Sequence, residues 1–590
     1  MRSTKKNLLT LVTVSAISIV TFQNCSPDFI AANFDSESLS SSASSSMKVR
    51  RVSNQEYKNS IRSIIEEQWS RRQPIANLDP NRYWWPPAVQ GALSELPADS
   101  LYSKLGTDQL STTLSSGRFS AYTDIAYALG KAIAADAVLR ANFIGACATD
   151  ENDVSNATCV DTFINEFGTI AFRTPPTATE LSEIKTNAKN WRTLIARILL
   201  HPRFLVHYER DGVKDAAGNY KLTDYEIESR LTSVFWKSSP DLQGLANVAS
   251  GKLKTQAGLQ AEATRILNSQ KTRDAMWVFY RQWFATTRLP AGGAYDTGAG
   301  FEGMAAPLTA SQLNGNSFLN AVLEDGHQFL DYLTWTQPST LETLFRSPLI
   351  FTTDPTLASI YGVSPRTDVN APPITDTSGH YPGILTRAMI TQQKPSVNGD
   401  INHIQRGVLI LTNLLNMELG QPANFADQQQ AQLVIPMTAS TRTEIQTKTG
   451  SGSCIGCHTT INPAGYALAN YDSLGRYITT ERRFRDVNNS GVATQVASNP
   501  VDATAVLPLN GNAYSVSDAT TLTDAFFKSG RIYQGFANYY FEYAFGRVPS
   551  SASDARIVNA IATNLQTKTI RATLEAIPLL PEFSMAMVGQ

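Results

Sequence analysis

Cysteine and histidine are both scarce in this chain, which has 5 Cys and 6 His among its 590 residues. Because they are so few, a close grouping of these residues arises by chance in very few sequences. An excess of charge of one sign is lacking too, since 50 Lys and Arg residues balance 51 Asp and Glu residues. The sequence has no basic arm or stripe, so we expect no nucleic-acid partner.

Several familiar signals are also missing. No G-x-S-x-G elbow or Walker loop occurs, so nucleophile-elbow and P-loop sites are not indicated. His201 and His207 are six residues apart, a spacing that does not place both on one helical face as a zinc pair. Beyond the N-terminal region no apolar run reaches about eighteen residues, so the sequence predicts no further membrane span.

The start of the chain has the pattern of a signal peptide, predicted over residues 1–24. Three basic residues precede an apolar run from Leu8 to Phe22, which is too short for a typical transmembrane helix. Cys25 follows at the position where a bacterial lipoprotein is cleaved and acylated. Its preceding residues are not the small ones usual there, so the alternative is ordinary secretion with cleavage nearby and Cys25 a bystander.

Both alternatives place the mature chain outside the cytoplasm, where disulfides persist. We expect an exported periplasmic, outer-membrane or cell-surface lipoprotein of a Gram-negative bacterium, held on the membrane by lipid at Cys25. Residues 25–46 carry this anchor site and a serine-rich tether of the kind that separates an anchor from a folded body. Loss of residues 1–24 would move the formal net charge from −1 to −4.

Helical periodicity dominates the rest of the chain, and strand signals are few and short. The sequence therefore predicts a mainly α, multidomain helical protein with few short strands. Amphipathic helices are predicted over 54–68, 223–236, 253–267, 272–284, 316–333, 405–415, 524–545 and 553–565. The length exceeds what one core supports. The predicted segments are an N-terminal helical domain (47–140), a disulfide-containing helical domain (141–212), a central helical domain (213–365), a further domain (380–485), a loop (486–515) and a C-terminal helical domain (516–590).

The most informative stretch is Cys454-Ile455-Gly456-Cys457-His458. Two thiols spaced by two residues and followed at once by a histidine are the attachment signature of c-type haem. Two thioethers would tie the porphyrin edge to one short turn, and His458 would reach the iron as an axial ligand. The sequence predicts one covalently attached haem c, and residues 380–485 are predicted to be a C-terminal c-type cytochrome-like, haem-binding domain.

The second axial ligand has to come from elsewhere. Met437 and His403 are the candidates upstream, and an open position that would admit small molecules is the alternative. The segment Ile461-Asn462-Pro463 is the nearest supplier of a carbonyl for the other ring nitrogen of His458. Arg476 is a candidate partner for a haem propionate, because a guanidinium fork fits a carboxylate. Arg482 and Arg483 are further candidates, but an ordinary solvated basic face is the favoured interpretation of these two.

The two remaining cysteines are Cys147 and Cys159, separated by a short polar stretch. In an oxidising compartment a disulfide that closes this loop is the expected outcome. A redox-active pair is the alternative, but no CxxC spacing or basic cluster supports it.

The sequence resembles the planctomycete-type cytochrome c-like multidomain family, long described as tandem domains of unknown function. The residues that carry the resemblance are Arg50 to Asn59, Leu200 to Leu205, Leu222 to Glu226, Gly383 to Thr386, Arg406-Gly407, Cys454 to His458, Ile461 to Pro463, Asp472, Gly475-Arg476 and Tyr543 to Arg547. The resemblance implies an architecture and a haem, but no substrate. This chain departs from the family pattern at Lys448, where relatives carry a histidine, and at Gly535, where they often carry a cysteine.

Three functional hypotheses follow. The first is a lipid-anchored c-type cytochrome that passes electrons to a redox partner protein. The second is a haem-dependent oxidoreductase or peroxidase whose substrate binds the helical domains. A chain of this length with a single haem favours a role for most residues besides carrying one electron. The third is a non-haem interaction lipoprotein in which the two cysteines of CIGC form a disulfide or a metal knuckle. The sequence does not decide whether the protein is an enzyme.

Overall fold

The computed structural model describes residues 50–74, 87–97, 99, 115–186, 188–209, 211–216, 218–290, 298–313, 315–396, 398–419 and 434–586. The predicted signal peptide 1–24, the anchor residue Cys25 and the tether 25–46 lie outside these residues.

Helices dominate the described part of the chain and strands are few and short, which confirms the predicted fold class. The helices before residue 210 are α1 Asn54–Ser70, α2 Pro87–Ser94, α3 Ser116–Ala135, α4 Ala137–Phe143, α5 Ala157–Phe172, α6 Ala178–Thr186, α7 Trp191–Leu199 and α8 Pro202–Leu205. Those after it are α9 Asp224–Phe235, α10 Leu242–Ala249, α11 Gln256–Leu267, α12 Gln270–Trp283, α13 Ala299–Ala305, α14 Ala310–Leu313, α15 Asn316–Asp331, α16 Leu341–Arg346, α17 Pro355–Tyr361, α18 Ala388–Thr391, α19 His403–Val408, α20 Thr441–Thr449, α21 Cys454–Tyr466, α22 Ala519–Ser529, α23 Arg531–Phe545, α24 Ala552–Thr567 and α25 Ile570–Ala576.

The strands form small antiparallel sheets. They are β1 Arg50–Arg51, β2 Val206–His207, β3 Val213–Lys214, β4 Tyr220–Lys221, β5 Leu349–Ile350, β6 Ile374–Thr375, β7 Thr480–Arg485, β8 Thr494–Pro500, β9 Ala505–Leu509, β10 Asn512–Val516 and β11 Met585–Ala586. Strand β1 pairs with β2, β5 with β6, β7 with β8, and β9 with β10, while β4 lies between β3 and β11.

Many helices begin where the sequence supplies a cap. Ser53 accepts a hydrogen bond from the backbone of Glu56, and the Glu56 carboxylate accepts from the Ser53 N–H, a capping box that starts α1. Thr223 and Glu226 start α9 in the same way. These reciprocal bonds satisfy backbone donors that a helix end leaves without partners. They explain why the predicted starts at 54 and 223 agree with the structure to within one residue.

Buried apolar residues form two hydrophobic cores. The first runs from Val52 to Leu205 and includes one residue of α10, Leu245. The second runs from Leu222 to Ala586 and is continuous through the central, cytochrome-like and C-terminal segments. Trp283 of α12, for example, packs edge-on against Phe536 of α23 with 5.1 Å between ring centroids. The predicted boundaries near 365 and 516 therefore do not separate independent cores.

The expected disulfide between Cys147 and Cys159 is present, and it closes a loop with a sequence separation of 12. Cys159 lies in the first turn of α5, where Asn156 caps the helix by accepting from the Cys159 N–H at 3.1 Å. Arg140 of α4 donates to the backbone carbonyls of Ala148 and Thr149 in the same loop, at 2.8 Å each. The loop is thus tied to both helices that flank it.

Two predicted segments are corrected by the structure. Residues 486–515 are not a loop, because β8 and β9 lie within them and β10 begins there. In β7 the alternating buried positions that mark a strand are occupied by the charged residues Glu481 and Arg483. Because these residues are not hydrophobic, hydrophobic periodicity did not indicate the β7–β8 hairpin. The helix predicted over 524–545 is also interrupted, because Gly530 takes a left-handed conformation with φ of 70° and separates α22 from α23.

Among the described residues, no helix combines the length and the apolar character that crossing a membrane requires.

Candidate haem-attachment site

The CIGCH sequence forms the first turn of α21. Cys454 begins the helix and Cys457 follows three residues later, so both thiols lie on one side of the turn, and both are partly buried. Ile455 between them is 46% exposed. Among the residues that the structure describes, none lies within 4 Å of the position that a Cβ atom on Gly456 would take. This turn therefore faces open space on the side away from the core.

Two glycines set the position of α21. Helix α19 crosses it so closely that a Cβ on Gly465 would overlap the backbone carbonyl of His403. A Cβ on Gly407 would likewise overlap the carbonyl of Ile461. Only glycine permits two helix backbones to approach in this way. The crossing fixes the part of α21 from Ile461 to Gly465 against α19. The first turn of α21, which carries the cysteines, lies beyond this contact.

His458 is oriented by the next turn of its own helix. Its Nδ1 atom lies 2.9 Å from Oδ1 of Asn462, four residues further along α21. Asn462 in turn donates from Nδ2 to Oγ1 of Thr449 at 2.9 Å, and the Thr449 hydroxyl donates to the carbonyl of Ile445 at 2.7 Å. Thr449 and Asn462 are both buried. A connected series of hydrogen bonds from α20 to α21 therefore holds the imidazole.

The same series defines the protonation of the ring. Because the amide of Asn462 presents its oxygen to His458, Nδ1 carries the proton and Nε2 carries the lone pair. Burial lowers the pKa of His458 below its ordinary value, and the bond to Asn462 offsets this only partly. A neutral imidazole with its lone pair on Nε2 is the form that binds a metal.

The second thiol of the turn, that of Cys457, is partly buried. Burial, with a smaller effect of Cys454, raises the pKa of the Cys457 thiol. Among the described residues, no group of three or more His, Cys, Asp or Glu side chains is arranged to hold a metal ion.

Helix α20, which supplies Thr449, is held by a buried network of charges. Glu481 of β7 accepts hydrogen bonds from the backbone N–H and the hydroxyl of Thr441 at the start of α20. Arg483 of β7 donates to Glu444 of α20 at 2.6 Å and to Asp400 at 3.1 Å. The β7–β8 hairpin thus secures α20.

His403 is buried at the helix crossing. Its Nδ1 lies 3.3 Å from the carbonyl oxygen of Gly465, and its ring packs edge-on against Tyr466 with 5.2 Å between centroids. Both contacts lie about two turns beyond His458 on α21. Burial, reinforced by Arg406, lowers the pKa of His403 to about 3. His403 therefore contacts the C-terminal end of α21, and the structure shows no contact between His403 and His458.

Met437 lies in the segment that leads into α20 and is 55% exposed. The neighbouring carbonyls are anchored: Thr438 accepts from Asn499, and Ala439 accepts from Arg483. The structure shows no contact between Met437 and His458 in the described part of the chain.

Arg476 is fully engaged within the protein. Its Nε donates to Asp472 at 2.7 Å, and its two terminal nitrogens donate to the carbonyls of Met304, Ala305 and Ala306 at 2.6 to 3.1 Å. These carbonyls are at the C-terminal end of α13, where a cation is favourable. Its contacts are those of a residue that joins α13 to the turn after α21.

The remaining residues singled out by the sequence have local roles. Pro463 lies inside α21 and has no N–H to donate to the preceding turn. Lys448 donates to Glu444 one turn earlier at 2.6 Å. Sequence reasoning placed the acceptor for His458 within residues 461–463 but did not identify the side chain of Asn462, and it missed Thr449. The spacing of four residues between His458 and Asn462 on a helix was the available signal.

Two family models match the chain. PSD4, described as a protein of unknown function (DUF1592), matches residues 222–363, and PSCyt3, described as a protein of unknown function (DUF1588), matches residues 382–481. The second match contains α19, α20, α21 and the CIGCH sequence. No curated protein and no solved structure matches the chain. The two matches, in this order, are consistent with the planctomycete-type cytochrome c-like multidomain family that the sequence resembles.

Proposed function

We propose that this protein carries one haem c, attached through Cys454 and Cys457 with His458 as axial ligand, and that it transfers electrons. The observation that supports this most strongly is the state of His458. Its Nδ1 is bonded to Asn462, so Nε2 presents its lone pair beside the turn with the two thiols. An imidazole oriented through its other nitrogen is the usual arrangement of a metal-binding histidine.

The surroundings of the turn fit a covalently held porphyrin. Cys147 and Cys159 are joined to each other, and Cys454 and Cys457 are thiols in the structure. The exposed Ile455 and the open space at Gly456 leave the outer side of the turn accessible to a flat apolar group. When bound, haem supplies one-electron chemistry. The chain's contribution is to hold the iron ligand neutral and in one orientation.

Attachment can be tested by production with the cytochrome c maturation machinery, followed by haem staining of a denaturing gel. We expect a stained band at the mass of the protein. The double variant C454S/C457S should lose the stain, whereas C147S/C159S, which also removes two cysteines, should keep it. An unstained wild-type band would overturn the proposal and leave the hypothesis of a non-haem interaction lipoprotein.

A second candidate function is that of a haem-dependent oxidoreductase or peroxidase. The observation that favours it concerns the other side of the iron. His403 is engaged with Gly465, and Met437 is largely exposed, so neither described candidate contacts His458. An absorption spectrum of the reduced protein with and without carbon monoxide separates the two functions. A rapid spectral change on addition of carbon monoxide would show a displaceable or open position and favour the enzyme, whereas no change would favour electron transfer.

We also propose that the protein is exported and lipid-anchored through Cys25, with a redox partner protein in the same compartment. The disulfide between Cys147 and Cys159 supports an oxidising compartment. Metabolic labelling with a palmitate analogue tests the anchor: wild type should be labelled and fractionate with membranes, and Cys25→Ser should be neither. Labelling that is unchanged in Cys25→Ser would overturn the assignment of the anchor.

A further inference from the structure

The hydrogen bonds that reach His458 from α20 have a defined direction. The hydroxyl of Thr449 has one proton, which it donates to the carbonyl of Ile445 at 2.7 Å. Its oxygen can then only accept, so the nearer group of Asn462 has to be the amide nitrogen, at 2.9 Å. The amide oxygen of Asn462 is thereby turned towards Nδ1 of His458.

This arrangement is buried and built from two helices. Thr449 is 3% exposed and Asn462 is 7% exposed, so water does not readily replace either partner. A buried amide with no partner for its nitrogen is costly, which opposes a flip of the Asn462 side chain. The position of Thr449 is itself fixed because α20 is bound to β7 through Glu481 and Arg483. The orientation of the imidazole therefore depends on residues outside α21.

We infer that Asn462 and Thr449 are positioning residues that set the reduction potential of the site. This inference rests on the proposed function, in which Nε2 of His458 binds iron. The acceptor at Nδ1 determines how much electron density the imidazole gives to the metal. A neutral amide oxygen is a weaker acceptor for the Nδ1 proton than a carboxylate is. With Asn462 as acceptor, Nε2 of His458 is therefore a less basic ligand than it would be with a carboxylate at the same position. A less basic ligand favours the reduced iron.

Substitutions that strengthen the acceptor at Nδ1 and substitutions that remove or release it should move the potential in opposite directions. Asn462→Asp places a carboxylate against Nδ1 and should lower the potential. Asn462→Leu has a similar volume and no acceptor, and it should raise the potential. Thr449→Val keeps the shape of the side chain but leaves the amide of Asn462 without its acceptor, so its potential should shift in the same direction as that of Asn462→Leu.

The chain offers a matched control for each change. Thr447 also lies on α20 and bonds back to the carbonyl four residues earlier, at 2.8 Å, but it is exposed and makes no contact with Asn462. Asn470 is partly buried and donates to the carbonyl of Ile478, at 3.0 Å, beyond the end of α21. Thr447→Val and Asn470→Asp should leave the potential at the wild-type value.

The experiment is a redox titration of the haem-loaded proteins, followed by absorbance, with circular dichroism to confirm that each variant is folded. The expected order of potentials is Asn462→Asp, wild type, Asn462→Leu. Equal potentials in haem-loaded wild type, Asn462→Asp, Asn462→Leu and Thr449→Val would overturn the inference and leave the proposed function intact. Absence of covalent haem from wild type would instead overturn the proposed function. If Asn462→Asp does not fold, the shift of Thr449→Val relative to Thr447→Val decides the question.

Discussion

Gly465 of α21 lies directly against the backbone carbonyl of His403 at the start of α19, with no room for a side chain between them. The reverse contact, between Gly407 of α19 and the carbonyl of Ile461, lies about one turn away. The two helices consequently touch through their backbones. The cysteine-bearing turn of α21 is therefore held in a fixed position relative to the second hydrophobic core.

We expect Gly465→Ala to destabilise the protein, by about 1–3 kcal/mol as for an overpacked core position. The atom in the way belongs to the backbone, which cannot rotate aside as a side chain does. Gly456→Ala is the control on the same helix, since its Cβ would meet nothing within 4 Å. It should be neutral or stabilise by up to about 1 kcal/mol. Urea unfolding monitored by circular dichroism measures both, and equal midpoints would contradict the close crossing.

Loss of the disulfide should weaken the N-terminal core selectively. A cross-link with a sequence separation of 12 is worth about 3 kcal/mol in the chain-entropy model. Hydrogen exchange of C147S/C159S should therefore increase in α4 and α5, whose residues belong to the first core, with little change in the second core. C454S/C457S is the control and should exchange as wild type does in α4 and α5. A uniform increase across both cores would show that they unfold together.

Local patterns predicted much of this structure. The CIGCH spacing, the capping residues at 53 and 223, and the pairing of Cys147 with Cys159 all depend on residues close in sequence. The β9–β10 hairpin carried a local signal as well, because Asn510 and Gly511, with φ of 51° and 74°, form a two-residue turn between strands. The prediction of a loop over 486–515 overlooked that signal.

Contacts between distant residues were beyond such patterns. Arg483 reaches Asp400 across 83 residues, and Arg476 reaches Met304 across 172. Both arginines are candidates for a haem propionate from the sequence because they follow the cysteine motif, although a solvated basic face is the favoured interpretation of Arg483. In the structure each is committed to acceptors that only the folded chain brings near. Gly535 is a further contact between residues distant in sequence. A Cβ atom there would overlap the backbone carbonyl of Leu414, so a cysteine does not fit at this position.

Arg476→Lys should lower stability and leave the potential of the haem unchanged. Lysine keeps the charge but cannot replace the fork that reaches Asp472 and three carbonyls of α13, and hydrogen bonds to charged groups contribute about 1.5–3 kcal/mol. Arg482→Lys is the control, because Arg482 is exposed and lies over the Phe484 ring at 5.6 Å. It should change neither quantity. A shift of the potential in Arg476→Lys would instead support a contact with a propionate.

The carboxyl group of Glu481 should make stability fall as the pH rises towards neutrality. Burial raises its pKa from an ordinary value of 4.5 to about 7, and the hydrogen bond from Thr441 offsets only part of this. Between these two values the folded protein binds more protons than the unfolded chain, so the stabilising contribution is complete below about pH 4.5 and is lost as the pH rises to 7.

Glu481→Gln keeps the shape of the side chain and removes the titration. Relative to wild type it should gain stability from pH 4.5 upward and reach a plateau above pH 7, at no more than about 3 kcal/mol for a shift of this size. Urea midpoints at constant ionic strength measure the difference. Glu444→Gln is the control of opposite sign: burial opposes its ionisation, but hydrogen bonds from Lys448 and Arg483 hold the pKa of Glu444 below its ordinary value. That variant should be less stable than wild type at pH 8 and approach it as the pH falls below 4.5. A Glu481→Gln protein that is less stable than wild type at pH 8 would show that Glu481 acts as a charged partner of Arg483.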